Sequence, residues 1–256
     1  VPLASQTFSK SRLVLPEGRA PLFLSHGMGC RTWDIDGNEY VDLMMSLLAV
    51  SLGYCDPEVD AAVRHQMTAG VSLSLASELE FELAELIVEL VPSAQSVRVG
   101  KNGTDATSGA VRVARAFTGG DHVLVTGYHG WQDWYIGATT RDKGVPVAVR
   151  ELTHMAPYND ILSVDALLRK HPGEFAALIM EPTNVAEPAP ECFDALKELL
   201  HENGTLLIFD EIITGFRFAL GGAQELYGAQ PDLSCFGKSM GNGMPISAVV
   251  GRADIM

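Results

Sequence analysis

The sequence predicts an α/β protein built on a mostly parallel sheet with helices on both faces, and three observations carry that expectation. From Ser96 onward, short apolar runs with strand character alternate with helical patterns, the signature of strand–helix–strand crossovers. Leu206-Leu207-Ile208-Phe209 is a continuous apolar run, the pattern of a strand covered on both faces. That run ends in two carboxylates, Asp210-Glu211, and ligands of parallel α/β sheets sit beyond the carboxyl ends of the strands.

The elements follow in order. At 256 residues the chain can bury a sizeable core in one large domain or two small ones. The expected division is an N-terminal segment, residues 1–55, and a large domain, residues 56–256. Within the first, Arg31 to Asp42 reads as a β-hairpin whose turn is Asp36-Gly37. Asp56-Pro57 opens a helix in the N-cap and Pro order, running to about Thr68. Ser77 to Leu90 is a second helix, with Leu79, Leu83, Leu86 and Leu90 on one stripe and Glu78, Glu82, Glu85 and Glu89 on another. The glutamates read as a solvated face. Strands are then expected at Ser96–Gly100, His122–Thr126, Val147–Arg150, Ala176–Met180, Thr205–Asp210 and Ser247–Gly251. Helices are expected between them at Thr104–Phe117, Val164–His171 and Glu191–Asn203.

Composition narrows the function. The chain is 47% hydrophobic and 20% charged, ordinary for a soluble globular protein. A net charge of −14 argues against a nucleic-acid or anionic-membrane partner and serves solubility. Cys30, Cys55, Cys192 and Cys235 form no C-x-x-C pair and read as reduced thiols of a cytoplasmic protein. Neither a signal peptide nor a run long enough for a membrane span is visible. The seven histidines are scattered without ligand spacing, so no metal site is expected.

The candidate chemistry lies at strand ends. Phe236-Gly237-Lys238-Ser239-Met240-Gly241-Asn242-Gly243 sets one lysine among glycines, where backbone can approach whatever the lysine reaches. A strand-end carboxylate and a lone lysine suit pyridoxal 5'-phosphate (PLP), which needs an amine for its aldehyde and an acid at its pyridine nitrogen. A full charge about 4 Å away is worth about 4 kcal/mol at an effective dielectric of about 20, enough to lift that nitrogen's pKa by roughly 3. The plainer reading makes Asp210 a cap and Lys238 a solvated loop charge. On these two residues alone both readings stand.

Other strand ends add to the count. Gly100-Lys101-Asn102-Gly103-Thr104 is a glycine-containing turn into a helix N-terminus, where free N–H groups and the helix dipole suit a phosphate. Asn and Thr also cap helices with no ligand present. Tyr128-His129-Gly130-Trp131 follows a strand, and a ring there could stack on a flat cofactor or simply pack a surface. Glu181-Pro182 supplies a third polar cluster, or a cap for the loop that Pro182 initiates. Gly237-Lys238-Ser239 could end a nucleotide-binding P-loop, but that motif requires glycine where Asp232 stands.

Leu207 to Arg217, followed by Gly237-Lys238-Ser239 and Gly243-Met244-Pro245-Ile246, resembles the class III, fold type I, PLP-dependent aminotransferases. The branch of glutamate-1-semialdehyde aminomutase and its relatives looks closest, and the resemblance spans roughly Arg31 to Met256. It implies that residues 56–256 are a PLP-binding large domain, with Lys238 the Schiff-base lysine and Asp210 the partner of the pyridine nitrogen. It places Ile212 and Tyr128 on opposite ring faces, His129 beside Tyr128, Glu181 near the ring, and Asn102, Gly103 and Thr104 at the phosphate. Residues two apart on a strand point the same way, so Asp210 and Ile212 can address one ligand while Glu211 faces elsewhere. The sequence departs at Asn102, where a serine is more usual. It departs again at Leu15-Pro16-Glu17-Gly18-Arg19-Ala20-Pro21, where the aminomutase branch carries a Gly-Gly-Val-Asn-Ser-Pro-Val-Arg-like stretch. Arg19 reads as an exposed arginine or a contact for a substrate carboxylate.

The resemblance implies an aminotransferase that moves an amino group from an amino donor to an aldehyde or ketone, with Lys238 shuttling the proton. The aminomutase reaction and racemisation on the same fold use the same cofactor residues. A binding subunit without catalysis is the alternative of another class. The family implies a homodimer sharing its active sites and a C-terminal small domain beyond Met256, so the chain reads as part of a longer protein.

Overall fold

The computed structural model describes residues 1–15 and 18–256, so Pro16 and Glu17 of the Leu15–Pro21 stretch lie outside the described residues. Two compact units result, Val1–Leu73 and Ser74–Met256. That division falls beyond the 55/56 boundary expected from the sequence, because the helix opened by Asp56-Pro57 groups with the N-terminal unit.

The N-terminal unit carries a three-stranded antiparallel sheet, β1 (Leu24–Met28), β2 (Arg31–Asp34) and β3 (Glu39–Val41), in that order. The hairpin between β2 and β3 pairs Arg31 with Val41 and Trp33 with Glu39. Its turn is organised by Asp34, whose Oδ1 accepts the Asp36 and Asn38 backbone N–H groups at 2.9 Å each. The Asn38 amide, with the Tyr40 hydroxyl assisting, holds the Asp34 carboxyl down to about 2. Gly37 provides the positive φ of 86° that the turn needs. A left-handed turn, α1 (Met45–Leu48), and the helix α2 (Pro57–Ala69) complete the unit. Asp56 caps α2 by accepting from the N–H groups of Glu58 and Val59.

The second unit is a seven-stranded sheet: β4 (Ser96–Gly100), β5 (His122–Thr126), β6 (Thr153–Met155), β7 (Phe175–Met180), β8 (Leu206–Asp210), β9 (Leu233–Phe236) and β10 (Ser247–Gly251). Their spatial order is β4-β10-β9-β8-β7-β5-β6. β10 runs antiparallel to both its neighbours and the other pairs are parallel. The carboxyl ends of β4, β5, β7, β8 and β9 therefore open onto one edge.

Helices cover both faces, as expected. On one face α4 (Gly103–Thr118) lays Ala106, Ala110, Val111 and Ala114 against Val125, Ile179, Ile208 and Val249. On the other, α7 (Ile161–Lys170) and α8 (Cys192–Glu202) pack Val164, Leu168, Phe193 and Leu200 against Leu124, Leu178, Leu207 and Phe209. The helix α3 (Glu78–Leu90) extends that second layer, with Ile87 against Phe236, Ala248 and Val250. Three short helices lie in the connections: α5 (Asp133–Ile136), α6 (Val147–Arg150) and α9 (Ala223–Tyr227). Alternate residues of β8 serve opposite layers, each side chain at most 5% exposed. Burying each one removes about 1.5–3 kcal/mol of apolar surface cost. Among the described residues, no helix is long and apolar enough to cross a membrane.

Several expectations need correction. Val147–Arg150 is the helix α6, and the edge strand is Thr153–Met155. Pro146 sets the chain for a helical turn whose Val149 and Arg150 N–H groups return to its carbonyl. With Val147 55% exposed, no sheet face rewards the β-branched side chains. β1 and β9 were not expected: Leu-Ser-Cys-Phe is short and contains a serine, yet β9 is wholly buried between β8 and β10. On α3, Leu79 and Leu86 are exposed and Ile87 is the buried residue, while the four glutamates are exposed as read.

Candidate active site

Asp210 ends β8 at the open edge of the sheet and is 4% exposed. A carboxylate there is costly unless partnered. Its Oδ1 accepts the Ile212 N–H at 3.1 Å, which turns the chain as the strand stops. Its Oδ2 lies 2.8 Å from Nδ1 of His129, itself 2% exposed. The other ring nitrogen of His129, Nε2, is 3.1 Å from the Thr126 carbonyl, which can only accept. The histidine is thus held between strand β5 and Asp210.

Lys238 follows β9 and opens a short 3₁₀ turn, Lys238–Gly241, with a φ of 45°. That left-handed backbone is unusual for a residue with a Cβ and marks a position dictated by its surroundings. Burial lowers the ammonium's pKa below the ordinary lysine value, opposed by the charges of Asp210 and Glu181 and reinforced by Arg217. Lys238 is consequently readier than a solvent lysine to present a neutral amine.

Both side chains line one cavity of about 330 Å³, together with Asn102, Gly103, Thr104, Tyr128, His129, Glu181 and Ile212. All nine residues singled out in the sequence thus meet at one place, in a volume suited to a small ligand. Asp210 and Ile212 share that cavity even though Ile212 lies past the strand. Glu211 faces away, wholly buried, accepting from Thr214, from the N–H groups of Ala223 and Gln224, and from the Gln224 amide.

The α4 end of the cavity has an anion-binding form. Asn102 caps the helix with Oδ1 on the Asp105 N–H at 3.0 Å, and the Asp105 carboxylate accepts back from the Asn102 N–H. The N–H groups of Gly103 and Thr104, the first two of the helix, have no protein acceptor among the described residues. A Cβ on Gly103 would stand 3.1 Å from the Ile212 side chain, and one on Gly130 would stand 2.6 Å from Thr104 Oγ1. The glycines let the loops close around this corner.

Glu181, 6% exposed, accepts from the Tyr128 N–H at 3.2 Å and the Asn184 amide at 2.8 Å. It thereby ties the loop after β5 to the loop after β7. Tyr128 is 60% exposed and meets Tyr135 edge-on at 5.6 Å between ring centres. Sequence reasoning missed Thr107, Gly130, Trp131 and Ile213, which also line the cavity, and Tyr135, which floors the loop. Thr107 donates to the His129 carbonyl at 3.0 Å. Its place one helical turn after Thr104 was the available signal. Tyr135 donates to the Gly127 carbonyl at 2.8 Å, and burial pushes its phenol up to about 12.

An amine and a histidine-braced carboxylate lining one cavity, at the carboxyl edge of a mostly parallel sheet, define an α/β protein with one candidate ligand site at its strand ends. Residues 15–256 match the family model described as aminotransferase class-III, and the chain belongs to that family. It is 41% identical over 254 residues to a glutamate-1-semialdehyde 2,1-aminomutase of Aquifex aeolicus, covering 93% of this chain and 60% of that protein. Identity is 40% over 246 residues to a 3-aminobutyryl-CoA aminotransferase of Cloacimonas acidaminovorans, covering 93% and 59%. Among solved structures, an omega-transaminase from Sphaerobacter thermophilus superposes with a TM-score of 0.86 at 33% identity, covering 97% of this chain and 64% of that one. The FumI protein from a Sphingopyxis species, solved as its PLP internal aldimine form, gives 0.90 at 33% identity, covering 96% and 60%. The chain spans about three fifths of the length of the curated relatives it matches.

Proposed function

We propose that this chain carries the cofactor-binding part of a PLP-dependent aminotransferase that moves an amino group from an amino donor to an aldehyde or ketone. The observation that carries this reading is the placement of Lys238 and Asp210 on one ligand-sized cavity that the first residues of α4 also line. The residues fit the group. Lys238 would hold its aldehyde carbon and Asp210 its ring nitrogen, while Ile212 and Tyr128 would flank the ring. Gly103 and Thr104 would hold the phosphate by their N–H groups, and Glu181 would stand near the ring. PLP, when bound, supplies the electron sink that makes a proton on an amino-bearing carbon removable.

The protein's own contributions follow from the geometry. His129 keeps Asp210 pointed into the cavity and supplies the hydrogen bond that a buried carboxylate requires. Lys238 Nζ, with its pKa lowered by burial, can take up a proton from a substrate carbon and return it. Glu181 fixes the Tyr128 loop through its backbone. Asn102 spends its side chain on the helix cap, so in this reading the turn binds phosphate through backbone alone.

The test is site-specific labelling. Incubation of the full chain with PLP, borohydride reduction and peptide mass spectrometry is expected to find the pyridoxyl label on Lys238. Lys238→Ala is expected to lose it, and Asp210→Asn to keep it while amine transfer falls by about a hundredfold or more. A label spread over surface lysines, or none, would overturn the reading in favour of a binding subunit.

Isomerisation of the aminomutase kind is the second reading, favoured by the identity with the Aquifex aeolicus protein. The 3-aminobutyryl-CoA aminotransferase and the omega-transaminase favour transfer between two substrates. Product analysis separates them: transfer releases a carbonyl product from the donor, isomerisation conserves the amine within one molecule, and racemisation changes only its hand. The reading extends to a homodimer with shared active sites, small-molecule amine and carbonyl substrates, and a cytoplasmic location, which the four free cysteines suit.

A further inference from the structure

A second cluster of chemistry-bearing side chains lies away from the cavity just described. His122 opens β5, His154 lies in the edge strand β6, His171 closes α7, and Glu174 follows in the turn into β7. The three imidazoles pack with ring centres 5.0–5.1 Å apart, beside Phe175. Stacked histidines alone would be a small aromatic cluster.

Two features go beyond packing. Glu174 Oε2 lies between two imidazole nitrogens, 3.4 Å from His122 Nε2 and 3.2 Å from His171 Nδ1. One donor atom from each of His122, His171 and Glu174 falls within 4.8 Å of the other two. In tetrahedral zinc sites, bonds of about 2.0–2.1 Å put neighbouring ligand atoms about 3.3 Å apart, so both separations already match edges of such a tetrahedron. The second feature is His154, whose Nε2 lies 2.7 Å from His122 Nδ1. When that Nδ1 donates, the lone pair of His122 Nε2 is left facing the carboxylate, an acceptor opposite an acceptor. An imidazole ligand with its other nitrogen hydrogen-bonded is the arrangement found around bound metals. Neighbouring polar capacity is also unspent: His171 Nε2 is buried with no partner among the described residues.

We propose that His122, His171 and Glu174 form a binding site for a divalent transition-metal ion, zinc foremost, with His154 orienting His122. Two imidazoles and one carboxylate are the ligand types zinc takes, and three protein ligands leave a position for water. Glu174 has a side chain 52% exposed, which leaves an entry path from solvent. An ion there ties β5 to the α7–β7 turn. The scattered spacing of the histidines concealed the site because His122 lies far along the chain from His171 and Glu174.

Zinc chloride titrated calorimetrically into the metal-stripped full chain near neutral pH tests the site. Saturable binding of one ion is expected, with a rise in the thermal midpoint. His122→Ala and His171→Ala are each expected to weaken binding by at least about tenfold, and His154→Gln by a smaller factor. His65→Ala, on the exposed face of α2, is expected to change nothing. Should a cluster variant fail to fold, histidine modification of the unmutated protein decides: zinc is expected to shield His122 and His171 from diethyl pyrocarbonate. Absence of saturable heat, equal affinity in a folded His122→Ala/His171→Ala double variant, or no shielding would overturn the proposal. Labelling of Lys238 does not depend on any of these outcomes.

Discussion

His129 spends both ring nitrogens on neighbours, one on Asp210 and one on the Thr126 carbonyl, so its removal leaves a buried carboxylate short of a partner. A hydrogen bond to a charged group is worth about 1.5–3 kcal/mol, and His129→Ala is expected to weaken PLP binding by roughly tenfold to a hundredfold, read by absorbance titration. Lys238 yields a pH prediction. Its pKa in the folded protein lies below the ordinary 10.5, so the reactive amine appears at lower pH than for a solvent lysine. Asp210 favours the ammonium, so Asp210→Asn is expected to move the pH profile of labelling lower still. The linkage to stability has a definite sign. Between the lowered folded pKa and 10.5 the unfolded chain binds more protons, so stability rises with pH through that window. Below it the penalty is fully present, and Lys238→Met is expected to raise the thermal midpoint at neutral pH while abolishing the label.

At the scale of the element, the start of α4 carries both a cap and the candidate phosphate turn. Asn102→Ala removes the bond to the Asp105 N–H and is expected to cost about 1 kcal/mol in urea unfolding. Asn102→Ser, which restores the residue more usual in the family, can cap equally well and is expected to stay within a few tenths of a kcal/mol. The elements most legible in the sequence were those with strong local signals. Asp56-Pro57 announced α2 and the apolar run announced β8, while Asp210, Lys238 and the Gly103-Thr104 turn stood out by their place at strand ends, each with a plainer reading beside it. What escaped was decided by distant partners. β9 is buried by neighbours the four-residue run does not encode, Val147–Arg150 lacks a sheet face, and Tyr135 reaches the site only because α5 folds beneath the Tyr128 loop. The histidine cluster escaped for the same reason.

At the scale of the molecule, α3 leaves Leu79 and Leu86 exposed on one flank and Phe81 and Val88 on the other. Apolar side chains grouped on one helix are a surface that another chain can cover. Sedimentation equilibrium is expected to show a dimer, and a monomer at every concentration would remove the shared-site proposal. The reversed strand β10 bears on how the molecule is made. Among the described residues β4, which delivers the Asn102–Thr104 turn, pairs with β10 alone, a segment that follows it by most of the unit's length. During synthesis, β4 has no sheet partner and β9, paired with β8, keeps one open edge until that late segment pairs with both. Ribosome-bound intermediates halted before Ser247 should then stay protease-sensitive and blind to PLP, making the closing strand a checkpoint on cofactor loading.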